Sequence, residues 1–114
     1  MMTTPRWEAE VHVMYVNLPH FQPYAVPGVE AGFRGHIVGP RTGRPYEVLI
    51  KASLSGYPEK EPAVYMDPHP ESHHWISDNR LCYQREGHRW NPAEDTFAQA
   101  LVVAMKYVAE FDGR

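Results

Sequence analysis

The residues able to do chemistry crowd into one stretch, His69 to Ala93, which reads HPESHHWISDNRLCYQREGHRWNPA. It holds the only cysteine, Cys82, with His73 and His74 nine and eight residues before it and Trp90-Asn91-Pro92 beginning eight residues after it. A thiol near imidazoles and near Arg80, Arg85 and Arg89 suits thiolate chemistry, because neighbouring positive charge favours the nucleophilic form. Two other chemistries compete. Free cysteine is among the most buried residue types, so Cys82 can equally be inert core. His69, His73, His74 and His88 with Cys82 also offer the ligand types of a zinc site. Spacing speaks against zinc: adjacent histidines do not readily turn to one ion, no second cysteine exists, and structural sites usually pair ligands two to four residues apart. No metal and no cofactor is expected. A thiol redox sensor ranks last, since the chain has no resolving cysteine.

These residues need elements to hold them. From Arg6 to Leu18, Trp7, Val11, Met14 and Leu18 fit one face of a helix, although Trp7, Ala9, Val11, Val13 and Tyr15 also alternate as in a strand. The helix is preferred, with Thr4-Pro5 as its start and Pro19 as its stop. His20 to Gly28, with Pro23 and Pro27, reads as a loop. Val29 to Val38 and Pro45 to Ser53 read as two strands joined by a Gly-Pro-Arg-Thr-Gly-Arg-Pro turn, with Tyr46, Val48, Ile50 and Ala52 forming the apolar face. A third strand follows at Ala63 to Met66. After Pro68 neither period is sustained, yet Trp75, Ile76, Leu81, Tyr83 and Trp90 are too many anchors for disorder, so an ordered loop is expected. Trp90 is expected to be scaffold. The last helix is expected to be capped by Asn91, with Pro92 in its first turn and Glu94 completing a capping box. Phe97, Leu101, Ala104, Val108 and Phe111 give it a core face.

The result is one α+β domain over residues 1–114, with an antiparallel meander between two helices. A formal charge of −3 and the lack of a basic run argue against nucleic acid and anionic membranes as partners. The amino terminus lacks the apolar core of a signal peptide, and Ala100 to Met105 is far too short to span a bilayer, so a cytoplasmic protein is expected. A single cysteine removes the disulfide framework of secreted domains.

HIVGPRTGRPYEVLIKASLSGYPEKEPAVYM and NRLCYQREGHRWNPAEDTF together resemble the ubiquitin-conjugating enzymes, over roughly Phe33 to Val108. The first segment is similar to the family's hairpin, with its Gly-Pro turn and its Tyr-Pro followed by Pro before the next strand. In the second, Cys82 stands like the family's catalytic cysteine, and Trp90, Pro92 and Ala93 match residues that follow it. The resemblance implies a UBC-like fold: an N-terminal helix, a four-stranded antiparallel meander, a long cysteine-bearing loop and a helix after it. It also implies an activity. Cys82 would accept a ubiquitin-like modifier as a thioester from an activating enzyme and pass it to a target amine.

The departures carry information too. Where the family has His-Pro-Asn, this chain has Ser72, His73 and His74, with His74 at the asparagine. An imidazole N–H there could donate to the oxyanion, and the ring could accept a proton from the amine near neutral pH. His74 is therefore the second candidate catalytic residue. Glu59 stands where many members carry an aromatic residue that meets the ligase. The first helix has Arg6 but no basic cluster for the activating enzyme, and the family normally adds two more helices at the end. The chain looks most like minimal relatives from bacteria and archaea, some of which serve conjugation operons linked to phage defence. The alternative implied by these departures is a catalytically inactive adaptor of the same fold that binds a ubiquitin-like protein or a conjugation partner.

Overall fold

The computed structural model describes residues 1–72, 75–82 and 89–114. Its architecture is α+β: an N-terminal helix, a six-stranded antiparallel sheet and a C-terminal helix. The first helix, α1 (Thr4–Asn17), settles the ambiguity between helix and strand in favour of the helix. Met14 is buried, and Trp7, Val11 and Leu18 pack half-buried on the core. The cap is Thr3 rather than Thr4: its Oγ1 accepts the Arg6 N–H at 3.2 Å, and Pro5 falls in the first turn, where no donor is lost. Leu18 N–H donates to Met14 O at 2.7 Å, and Pro19 ends the helix.

The segment expected as a loop before the first hairpin contains a strand, β1 (Gln22–Val26), paired with β2 (Glu30–Val38). Pro23 within it misled the expectation. β1 is an edge strand, and a proline there leaves no ladder bond unmade when its nitrogen faces outward. Phe21, just before it, is buried on Gly35, where any Cβ would stand 2.8 Å from the ring.

The strand β3 (Pro45–Ser53) pairs with β2 in unbroken register from Glu30↔Ser53 to Val38↔Pro45, and β4 (Ala63–Met66) follows on its other side. Ala31, Phe33 and Ile37 from β2, Tyr46, Val48, Ile50 and Ala52 from β3, and Val64 and Met66 from β4 share the buried face. Two short strands, β5 (Ile76–Ser77) and β6 (Arg80–Leu81), lie within the segment read as a loop and complete the order β1-β2-β3-β4-β6-β5.

The last helix, α2 (Phe97–Phe111), starts later than expected, with Thr96 as its cap; Thr96 Oγ1 accepts the Gln99 N–H at 3.1 Å. Asn91 caps a separate turn instead. Its side-chain oxygen accepts the Ala93 N–H at 3.0 Å, and its carbonyl accepts the N–H groups of Glu94 and Asp95. The core face of α2 is as its spacing predicts: Phe97, Leu101, Ala104 and Val108 are buried and Phe111 is half-buried. Phe97 joins the sheet to α1, with its ring 5.4 Å from Phe33 and 6.1 Å from Trp7.

Asp112, wholly buried at the end of α2, locks this helix to the β2–β3 turn. Its carboxylate accepts from Thr42 Oγ1 at 2.6 Å, Tyr46 Oη at 2.7 Å, and the N–H groups of Arg41 and Thr42 at 2.9 and 3.0 Å. Gly39 has to be glycine, since a Cβ would stand 2.3 Å from this carboxylate. Burial alone raises the Asp112 pKa, but hydrogen bonds from Thr42, Tyr46 and the Thr42 and Arg41 backbone outweigh it and hold the carboxyl well below its ordinary value of 3.8. A carboxyl with a depressed folded pKa stabilises the fold above its unfolded pKa and loses that contribution as the pH falls through the folded value. Asp112→Asn is therefore expected to unfold at lower temperature than wild type at pH 7, with the gap narrowing below about pH 4, as measured by thermal melts across a pH series.

Candidate functional site

Cys82 emerges from a small hairpin whose turn chemistry fixes it in place. Asp78 and Asn79 both have positive φ, 53° and 65°, as a two-residue turn of the primed type requires, and Asx residues tolerate that conformation better than most. The turn brings Ile76 opposite Leu81 and Ser77 opposite Arg80. The Cys82 N–H then donates to Trp75 O at 2.6 Å, extending the ladder to the thiol-bearing residue itself. The hairpin is not free-standing, because Arg80 pairs with Tyr65 of β4 and the Met66 N–H donates to Asn79 O at 2.8 Å. Alternation along the strand does the rest. Leu81 is buried and Cys82 is exposed.

The ends of the cysteine-bearing stretch are tied to different parts of the core. Upstream, Trp75 is buried 5.6 Å from Tyr107 and 6.2 Å from Phe111 of α2. Tyr107 donates its hydroxyl to Pro70 O, and burial pushes its pKa up to about 12. Downstream, the Trp90 ring lies 5.7 Å from Tyr57, and its Nε1–H donates to Pro58 O at 2.7 Å. Trp90 thus has the scaffold contacts expected of it.

Beneath Trp90 lies a network that sequence reasoning missed. Glu10 of α1 is only 1% exposed. Its Oε2 accepts from Arg6 Nε at 2.9 Å and from the Tyr57 hydroxyl, and its Oε1 accepts the Phe97 N–H at 3.0 Å. Arg6 Nη2 also donates to Tyr57 Oη at 3.2 Å and to Asp95 O at 2.8 Å. Burial, then the hydrogen bond and charge of Glu10, push the Tyr57 hydroxyl far above its usual pKa, so it stays a donor. A signal was present. Glu10 sits three residues after Trp7 and four before Met14, on the inward face of the helix.

Cys82 opens onto a cleft of about 480 Å³ lined by Glu61, Tyr65, Ser77, Asp78, Arg80 and Leu81. An adjoining cleft of about 400 Å³ shares Glu61 and Arg80 and adds Glu59, Lys60, Arg89 and Trp90. The sequence prediction of Cys82 is thus placed at a concave, mixed-charge surface. His74, the second candidate, lies outside the described residues, as do His73, Tyr83, Arg85 and His88. His69 is described, half-buried, with Nδ1 2.8 Å from Pro70 O. Among the described residues no three His, Cys, Asp or Glu side chains come together as a metal site, and no helix is long and apolar enough to cross a membrane.

No family model, curated protein or solved structure matches this chain. Removing the shared acceptor in Glu10→Ala would strand Tyr57, Arg6 and the first N–H of α2 together, and is expected to cost about 3 kcal/mol. Urea unfolding of the variant beside wild type measures that loss.

Proposed function

We propose that the protein is a ubiquitin-conjugating-enzyme-like carrier, which accepts a ubiquitin-like modifier on Cys82 as a thioester and transfers it to a target amine. The observation that supports this most is the setting of the only thiol. It is exposed on a cleft, immediately after a hairpin that is hydrogen-bonded to the sheet edge, and it lies between an antiparallel meander and the final helix. An inert thiol has no need of exposure, whereas a carrier must present its sulfur to two macromolecules in turn. The order of elements agrees with the fold that the resemblance implies, with β1 to β4 supplying four meander strands.

Loading replaces one thioester with another: the Cys82 sulfur attacks the modifier's carboxyl carbon and the thiol of the activating enzyme departs. In transfer the amine nitrogen attacks the same carbon, the new C–N bond forms, the C–S bond breaks, and the amine's proton ends on the Cys82 sulfur. A thioester suits both steps because sulfur is a good leaving group towards nitrogen. In this scheme His74, at the position of the family's asparagine, donates to the oxyanion or receives the proton.

Incubation with an activating enzyme, a modifier and ATP is expected to give an adduct that thiol reductants cleave, and Cys82→Ala is expected to abolish it. An adduct that persists in Cys82→Ala would sink the carrier, and full biological activity in that variant would favour the adaptor and count against the carrier. For His74 the expectation is narrower: His74→Ala loads as wild type does but discharges to lysine at least about tenfold more slowly. An unchanged discharge rate in single-turnover assays removes His74 from the mechanism.

A further inference from the structure

Glu61 is the residue that links the clefts around Cys82. It precedes Pro62 and β4, it lines the Cys82 cleft and the adjoining one towards Trp90, and it also borders a third space formed with Lys51, Tyr57 and Lys60. Its Oε2 is, among the described residues, the one buried side-chain oxygen without a hydrogen-bond partner. Such an atom calls for an explanation, because a carboxylate oxygen withdrawn from water and left without a donor is costly. Arg80 lines both clefts with it, yet no hydrogen bond or ion pair joins the two. Among the described residues, then, an acceptor stands at this cleft without a donor paired to it.

We infer that the Cys82 cleft is a subsite for a protonated amine, with Glu61 as the residue that selects it. This rests on the carrier function proposed above, in which the second substrate is an amine; a lysine side chain is the form in which a protein would bring one. The other lining groups fit that chemistry. Ser77 and Asp78, which line the same cleft, supply further oxygen acceptors. Glu61 is a specificity residue here. It would hold the ammonium beside the thioester, and one proton of that ammonium passes to solvent to free the nitrogen lone pair before attack. Loss of Glu61 would raise the KM for lysine more than it lowers kcat.

The thiol provides a test that needs neither modifier nor activating enzyme. Cys82 is labelled with the ammonium reagent 2-aminoethyl methanethiosulfonate and with its sulfonate counterpart, each rate being divided by that of a free model thiol. The thiolate sulfur attacks the reagent's sulfenyl sulfur, an S–S bond forms and methanesulfinate leaves. Wild type is expected to favour the ammonium reagent, and Glu61→Gln to lower that preference about fivefold, with Glu61→Asp keeping most of it. An unchanged preference in Glu61→Gln, or equal changes with both reagents, overturns the inference.

A second arm uses the loaded protein. Discharge to free lysine is expected to slow in Glu61→Gln through KM, while discharge to hydroxylamine, which is uncharged at neutral pH, stays as in wild type; equal rates with lysine overturn the subsite. Failure of wild type to load would count against the carrier function alone, and the labelling arm would still decide whether the cleft selects a cation.

Discussion

The buried carboxylate of Glu10 is the constraint on which the rest of the arrangement depends. One side chain gathers donors from three parts of the chain: Arg6 within α1, Tyr57 in the connection before β4, and the first backbone N–H of α2. That N–H is one of the donors a helix leaves unpaired at its start, and a negative group there also complements the helix dipole. Arg6 then carries the tie onward to the carbonyls of Pro92 and Asp95, the turn that leads from Trp90 into α2. The turn from Pro92 to Asp95 and the start of α2 are therefore fixed by α1, through charged and partly buried hydrogen bonds of the stronger kind.

The far end of α2 is held by a second carboxylate with the opposite problem. Asp112 lies at a helix C-terminus, where the dipole disfavours negative charge. Its position is sustained by four donors from the β2–β3 turn and Tyr46, together with the space left by Gly39. One helix is thus registered at both ends on different elements, the first end by α1 and the last by the sheet. Trp75 and Tyr107 pack between these clamps, which transfers the registration of α2 to the strand that leads towards Cys82.

Much of this was legible in the sequence where one face of an element is apolar. The β2–β3 hairpin, β4 and the inward face of α2 follow from alternation and helical spacing, because burial forces those periods. Three features were hidden for physical reasons. Pro23 looks like a loop residue, yet an edge strand can carry it, while Pro27 does lie in the turn after β1. Asn91-Pro92 has the composition of a helix start, but the Asn91 carbonyl and side chain close a turn, and Thr96 takes the cap. Asp78-Asn79 is a hairpin signal that lies between strands of two residues each, too short for any period to show. In the site, exposure of Cys82 could not be read from its type, since cysteine is commonly buried. Glu10 escaped notice because its partners Tyr57 and Phe97 are distant in sequence, and Glu61 because burial of one carboxylate oxygen leaves no periodic signal.

These observations bear on how a single thiol can be both held and available. Backbone pairing can fix a residue without covering its side chain, since the ladder runs in the plane of the sheet and side chains stand off it. Cys82 takes that form: its N–H is engaged by Trp75, Leu81 before it is sunk in the core, and its sulfur faces the cleft. A thiol mounted on a floating loop would lose rotational freedom each time it met a partner. A thiol mounted on a hairpin, which is itself bonded to β4, has met most of that cost on folding. The chemistry at the sulfur can then be selected by what lines the cleft, and there the unpaired oxygen of Glu61 is the feature that distinguishes one incoming group from another.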